Sequence, residues 1–246
     1  MIVYIKSKEE IEGFKKVGKI SALIMEEILS KISPGITTSF LDSFARDLCK
    51  KHNVEPTFLG YREFPAAICA SINNVMVHGI PNDIVLNEGD LLTIDIGISN
   101  NGYIGDTAET LCVGMSDSEL ILSCREALAE GIKQAKSGNK LSDISKVIFK
   151  VAKHKFQIPN FYGGHGIDRG ILHSAPFVSN VPDYNSDMML RDGMIFAIEP
   201  MFIDSVSNKT YVDKDGWSVI SEGISAHCEH TILISGNEPT VLTRRN

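Results

Sequence analysis

Two stretches of the chain carry one pattern. Glu88-Gly89-Asp90-Leu91-Leu92-Thr93-Ile94-Asp95 and Asp192-Gly193-Met194-Ile195-Phe196-Ala197-Ile198-Glu199 both read acid, glycine, any residue, two large apolar residues, a small one, isoleucine, acid. Each follows a pair of helical patterns. The first begins at the capping-box sequence Ser7-Lys8-Glu9-Glu10, continues through Ile11, Phe14, Val17, Ile20, Ile24 and Ile28 at three- and four-residue intervals, and stops at Ser33-Pro34-Gly35. Phe40, Leu41, Phe44 and Leu48 carry the next to about His52; after an irregular stretch with Pro56, Gly60 and Pro65, AAICASI reads as a strand ahead of His78-Gly79-Ile80. The second half repeats the order: a capping box from Ser116 to Glu119, helical patterns over roughly 117–136 and 142–155, then His165-Gly166-Ile167. A chain organised this way is expected to form one α+β domain of two related halves, about 1–113 and 114–246, with helices against a mostly antiparallel sheet.

Composition narrows the partners. The 246 residues suffice for a sizeable core, and 24 Lys and Arg against 31 Asp and Glu give a net charge of −7, which argues against nucleic acid as a partner. The N-terminal MIVYIKSKEEIEGFKK lacks the apolar run of a secretory signal, and no run reaches membrane-spanning length. Cys49, Cys69, Cys112, Cys124 and Cys228 contain no C-x-x-C pair, so neither a disulfide framework nor a zinc knuckle is expected. A soluble cytoplasmic protein is the expectation.

Acids stand where strands should be apolar. Leu91–Gly97 and Tyr103–Val113 read as a hairpin about the turn signal Ser99-Asn100-Asn101-Gly102. A four-residue loop puts Asp95 directly opposite Asp106; a two-residue Asn101-Gly102 turn makes them diagonal neighbours. Either way they share a face, with Cβ atoms roughly 5 Å or 7–8 Å apart, where like charges repel. A shared proton or bound cations would offset this. Glu199 at the end of MIFAI and Glu229 within AHCEHTILI add two more acids to strand-like runs, with no Lys or Arg comparably placed. Buried charges are normally paired or bind a metal, so cations become the better account. An oxygen-rich set with an imidazole suits Mn, Fe(II) or Co, and this much negative charge favours two metals, an arrangement suited to hydrolysis.

The residues around these acids resemble a family. IDIGISNNGYIGDTAET, GGHGI, FAIEPMF and SAHCEHTILI, together with CASINNVMVHGIPND and DGWSVISEG, are similar to the type I methionine aminopeptidases of the pita-bread (creatinase/aminopeptidase) fold, and the likeness runs almost end to end. It implies a pseudo-two-fold antiparallel sheet with two helix pairs on its outer face. It implies a compact bacterial form without an N-terminal extension, acting as a monomer on the initiator methionine of nascent chains near the ribosome and preferring a small second residue. Asp95, Asp106, His165, Glu199 and Glu229 match the ligands of two divalent metals, with Asp106 and Glu229 bridging and Glu199 also the proton shuttle. His78 and His173 match substrate-facing histidines that bond the peptide link and the developing oxyanion. The methionine pocket maps onto Phe58, Tyr61, Phe64, Cys69, His78, Leu172 and Trp217, aromatic and sulfur groups suited to a thioether. Asn73, Val75 and Ser225 match a site for one Na or K ion.

The match is weakest at GGHGIDRGILHSAP. Asp168 replaces the second glycine of the usual H-G-I-G, one extra residue separates His165 from His173, and Ser174-Ala175 stand where an acid is usual. The two histidines are too far apart in sequence for a zinc helix, and the scissile peptide is expected in the gap between them. An extra residue in a strand reverses the later side chains unless a bulge absorbs it, and Gly166 or Gly170 can host one. His227 replaces a common glutamine. The competing readings are an X-Pro aminopeptidase or prolidase of the same fold and a non-catalytic binding protein that uses the cleft for interaction.

Overall fold

Ser7 and Glu10 form a reciprocal capping box at the head of helix α1 (Lys8–Leu29) in the structure, a computed structural model that describes residues 3–152, 155–183 and 187–245. Phe14, Val17, Ile24, Met25 and Ile28 make its buried stripe. Helix α2 (Thr38–His52) is capped by the Thr37 hydroxyl and closed by the left-handed Asn53. Strands β1 (Glu55–Pro56), β2 (Cys69–Ile72) and β3 (Val75–Val77) lead to the long hairpin β4 (Leu91–Asn100) and β5 (Tyr103–Cys112). Helices α3 (Glu119–Gln134) and α4 (Leu141–Ala152) open the second half, followed by β6 (Gly163–Asp168) and β7 (Ile171–Ser179). Then come β8 (Ile195–Ile198), β9 (Met201–Asp204), β10 (Thr210–Val212), β11 (Val219–Ser221), β12 (Ile224–His227), β13 (His230–Leu233) and β14 (Thr240–Val241).

The second capping box does not form. Ser118, not Ser116, precedes α3, and its side chain makes no capping bond. Asp117 accepts from the Cys112 N–H and from Arg125 instead, tying the turn back to the hairpin. The final part of the expected helix over 142–155 falls on residues 153 and 154, outside the described set.

The ladders of the described strands are antiparallel and fall into sheets of four, three, two and five strands. One core packs α1 and α2 over β2 and β4, and a second packs α3 and α4 over β8, β12 and β13. A third cluster, with Phe14, Phe58, Cys69, Leu172, Ala197 and Leu233, draws on both halves.

The repeated octapeptide takes one backbone form twice. Gly89 and Gly193 are both left-handed, with φ of 89° and 85°, a conformation that glycine adopts without steric cost. The Gly89 N–H bonds the Val113 carbonyl while the Val113 N–H bonds Asp90; the Gly193 N–H bonds Ile234 while the Ile234 N–H bonds Met194. Upstream, Gly35 donates to Leu86 at 2.8 Å and Gly138 to Leu190 at 2.9 Å. Each acid-ended strand is thus anchored at its start in the same way, and its acid is delivered to the middle of the molecule.

Candidate active site

The hairpin adopts the diagonal register. Gly97 pairs with Asp106 and Asp95 with Ala108, because Asn101 and Gly102, both at positive φ, form a two-residue turn. Asp95 and Asp106 are 9% and 3% exposed. Glu109, further along β5, is also buried, but Arg125 and Arg245 both pair with it. Asp95 and Asp106 have no such partner among the described residues, and the Oδ1 atom of each is buried without a hydrogen bond.

Glu199 and Glu229 correct one expectation, since neither lies inside a strand. Glu199 and Pro200 separate β8 from β9, while Cys228 and Glu229 separate β12 from β13. Pro200 cannot donate to a ladder, so pairing lapses there, and the Glu229 N–H turns to the Ala108 carbonyl of β5 at 2.9 Å. The Thr231 hydroxyl bonds the Asp106 N–H and carbonyl, and the Thr107 hydroxyl bonds the Glu229 carbonyl. These bonds bring Asp106 and Glu229 together.

His165 on β6 completes the cluster. Its Nε2 lies 3.5 Å from Glu199 Oε1 and 3.7 Å from Asp106 Oδ2, while its Nδ1 lies 3.2 Å from the Gly166 carbonyl. A carbonyl can only accept, so Nδ1 carries the proton and Nε2 turns a lone pair toward the acids, as in metal-ligating histidines. Ligand atoms of Asp106, His165 and Glu229 all fall within 4.8 Å of one another.

Without a cation this cluster is costly to ionise. Burial, then the Asp106 charge, pushes Asp95, Glu199 and Glu229 well above the usual carboxylate range, and burial raises Asp106 to about 7. Burial, helped by the neighbouring His173, lowers His165 to about 3. Unpaired buried oxygens beside a neutral imidazole are a donor set that fits hard divalent cations. The Glu229 Oε1 atom is orphaned in the same way as the two aspartates.

A cavity of about 290 Å³ covers the cluster, walled by Phe58, Tyr61, Phe64, Cys69, Leu172 and Trp217. Phe64 meets Trp217 edge-on with ring centroids 5.1 Å apart. Cys69 pairs with Asp95 across β2 and β4, so the apolar wall begins directly beside the acids. His78 lines the cavity from a left-handed backbone, φ 59°, which is unfavourable for a non-glycine residue and is a form of strain that gathers at functional sites.

His173 lies 2.9 Å through Nδ1 from the Tyr61 hydroxyl, and its ring centroid is only 4.3 Å from that of His165. The rings touch, so no peptide fits between them. The expected gap does not exist because β7 folds back with two register shifts beside Gly166, closing the hairpin on itself. These shifts absorb the irregular spacing at Gly166, and Gly170 forms the hairpin turn instead. Asp168 turns away from the acids to make a buried ion pair with Lys6.

At the expected monovalent site, the Asn73 carbonyl already accepts from the Ser225 N–H and hydroxyl at 2.9 and 3.0 Å, while Val75 begins β3. A cation there would compete with two hydrogen bonds.

Sequence reasoning did not place His227, Arg62 or Val77 in the cavity, though all three line it. His227 is 2% exposed, and its Nε2 lies 3.3 Å from Glu199 Oε2. The available signal is its position, because His227 ends β12 at the break that also carries Glu229.

Residues 12–236 match the model of metallopeptidase family M24. The methionine aminopeptidase of Aquifex aeolicus is 38% identical, over 99% of both chains. The chain belongs to family M24, among the methionine aminopeptidases. The crystal structure of the methionine aminopeptidase from Thermotoga maritima superposes with a TM-score of 0.95 at 36% identity, covering 99% of this chain and all of that one. A prolidase from Pyrococcus furiosus shares the fold at a TM-score of 0.77 and 24% identity, and this chain spans 66% of it. The pita-bread α+β architecture is therefore that of the methionine aminopeptidase family, and the prolidases stand further off.

Proposed function

We propose that the protein removes N-terminal methionine from polypeptides whose second residue is small, by metal-assisted hydrolysis. The observation that carries this reading is the set of buried, unpaired carboxylates opening into an aromatic and sulfur-lined cavity. Asp95, Asp106, His165, Glu199 and Glu229 would hold two divalent cations of the Co, Mn or Fe(II) class. Such a pair supplies Lewis acidity, polarising a carbonyl oxygen and making water easier to ionise near neutral pH.

The protein's own groups do the rest. Phe58, Phe64, Cys69, Leu172 and Trp217 hold the methionine side chain and exclude water. Glu199 would take a proton from the attacking water at its carboxylate and return it to the leaving amine. A Tyr61 hydroxyl that donates to His173 Nδ1 leaves the proton on Nε2, so that His173 can donate to the peptide, with His78 donating from its own side of the cleft.

No helix among the described residues is long and apolar enough to cross a membrane, and the acidic charge gives no attraction to nucleic acid. On this reading the enzyme is a cytoplasmic monomer that meets the initiator methionine of nascent chains near the ribosome. The test is hydrolysis of Met-Ala-Ser against X-Pro peptides in Mn- or Co-supplemented buffer. Release of methionine is expected; turnover of X-Pro alone would replace the reading with a prolidase, and failure to bind divalent ions would leave a binding module.

A further inference from the structure

The methionine-facing cavity is one side of a larger cleft. A second depression, of about 320 Å³, opens from the same His78, His165, His173 and Glu199. Its other walls include Phe161, Tyr162, Ser174, Phe177 and Met201, and beyond the four shared residues its lining carries no charged side chain.

The aromatic wall is held in place by the strands that place His165. Phe177 is the cross-strand partner of His165, so the two side chains leave the same face of the β6–β7 pair. Gly163 makes room for the Phe177 ring, whose Cζ would lie 3.1 Å from a side-chain carbon at that position. Phe161 is 86% exposed and Phe177 50% exposed, although both are rings that a soluble protein gains by covering. The Ser174 hydroxyl, in the same depression, is buried and makes no hydrogen bond.

We infer that this depression receives the substrate beyond its second residue and selects an apolar or aromatic third side chain. The inference rests on the aminopeptidase reading. A peptide whose first side chain fills the methionine cavity must leave past the shared histidines and Glu199, and this depression begins at those groups. Phe161 and Phe177 offer the departing chain an apolar surface.

The experiment compares kcat/KM for Met-Ala-Ser, Met-Ala-Asp and Met-Ala-Phe on the metal-loaded protein and on the Phe161→Ser and Phe177→Gln variants. The natural protein is expected to favour Met-Ala-Phe over Met-Ala-Ser by about tenfold, the scale of discrimination an apolar contact provides. Met-Ala-Asp is expected to be slowest. Both variants should keep Met-Ala-Ser turnover while the Phe preference falls toward unity. Equal turnover of the three peptides by the natural protein, or a preference that survives both substitutions together, overturns the inference and leaves the aminopeptidase reading standing. Turnover of none ends both.

Discussion

Glu199 and Glu229 stand opposite each other across a shared break in two strands. His227 pairs with Met201 on one side of the break and His230 with Ile198 on the other, so one register runs through it and the two glutamates occupy the unpaired step. The break frees both carboxylates from the alternation of a sheet and turns them into the same cavity as Asp95, Asp106 and His165.

Glu199 is therefore expected to be indispensable as a proton carrier. Glu199→Gln keeps the volume and removes the basic oxygen, and turnover of Met-Ala-Ser should fall by about 100-fold or more. Unchanged turnover in the metal-loaded variant would refute the role.

His173 is expected to act on the substrate and not on the metal. His173→Ala should lose about 100-fold or more in turnover, the scale of a lost oxyanion donor, while metal content measured after gel filtration stays at the level of the natural protein. Tyr61→Phe removes the partner of Nδ1 and should cost less. Loss of the metal from the alanine variant would show that the histidine belongs with the ligands.

How far the site was legible follows from the range of each signal. Asp95 and Asp106 could be paired from sequence because a hairpin is local, and the choice of register turned on whether Asn101-Gly102 forms the whole turn. Glu199 and Glu229 were recognisable as acids in apolar runs, but a periodicity cannot show that a run breaks, and the break depends on contacts with β5 from far away in the chain. Lys6 gave no local signal at all, since its partner Asp168 lies in the other half. The contact between His165 and His173 depended on register shifts that a hydrophobic pattern does not encode.

Removing divalent cations is expected to reshape the stability profile above pH 6.5. Asp106 rises from 3.8 to about 7 in the fold, and Asp95, Glu199 and Glu229 rise well above their ordinary values, so the metal-free fold binds more protons than the unfolded chain. Stability from these groups is full below the unfolded values and is lost as pH climbs through the folded ones. The histidines oppose this: desolvation lowers His78 and His173 from 6.5 to about 4 and His165, His227 and His230 to about 3, so their stabilisation is lost as pH falls below 6.5. Above pH 6.5 the histidine contribution to the pH dependence fades as the unfolded imidazoles lose their protons, and by about pH 7.5 only the carboxylates matter. Chelated protein should therefore show a Tm that declines from pH 6.5 to 8, and Mn should raise Tm more at pH 8 than at pH 6. A Tm of the chelated protein that rises over this interval would contradict the carboxylate cluster.

Lys6 and Asp168 explain how the chain holds a buried acid in the β6–β7 hairpin. Both side chains are buried, at 4% and 8% exposure, and the Lys6 ammonium also donates to the Tyr4 carbonyl at 3.1 Å. The Lys6 N–H bonds Gly193, so the N-terminal segment clamps the β6–β7 hairpin to the turn that starts β8. Removing one charge leaves the other buried and unpaired, and Lys6→Met should cost about 3–5 kcal/mol in urea unfolding. Lys6→Met with Asp168→Asn should recover a large part of that loss, because no isolated charge remains. An equal loss in the single and double variants would mean that the lysine stem, and not the ion pair, holds the hairpin. Since the same hairpin carries His165 and His173, the single variant should also lose turnover at temperatures where it remains folded.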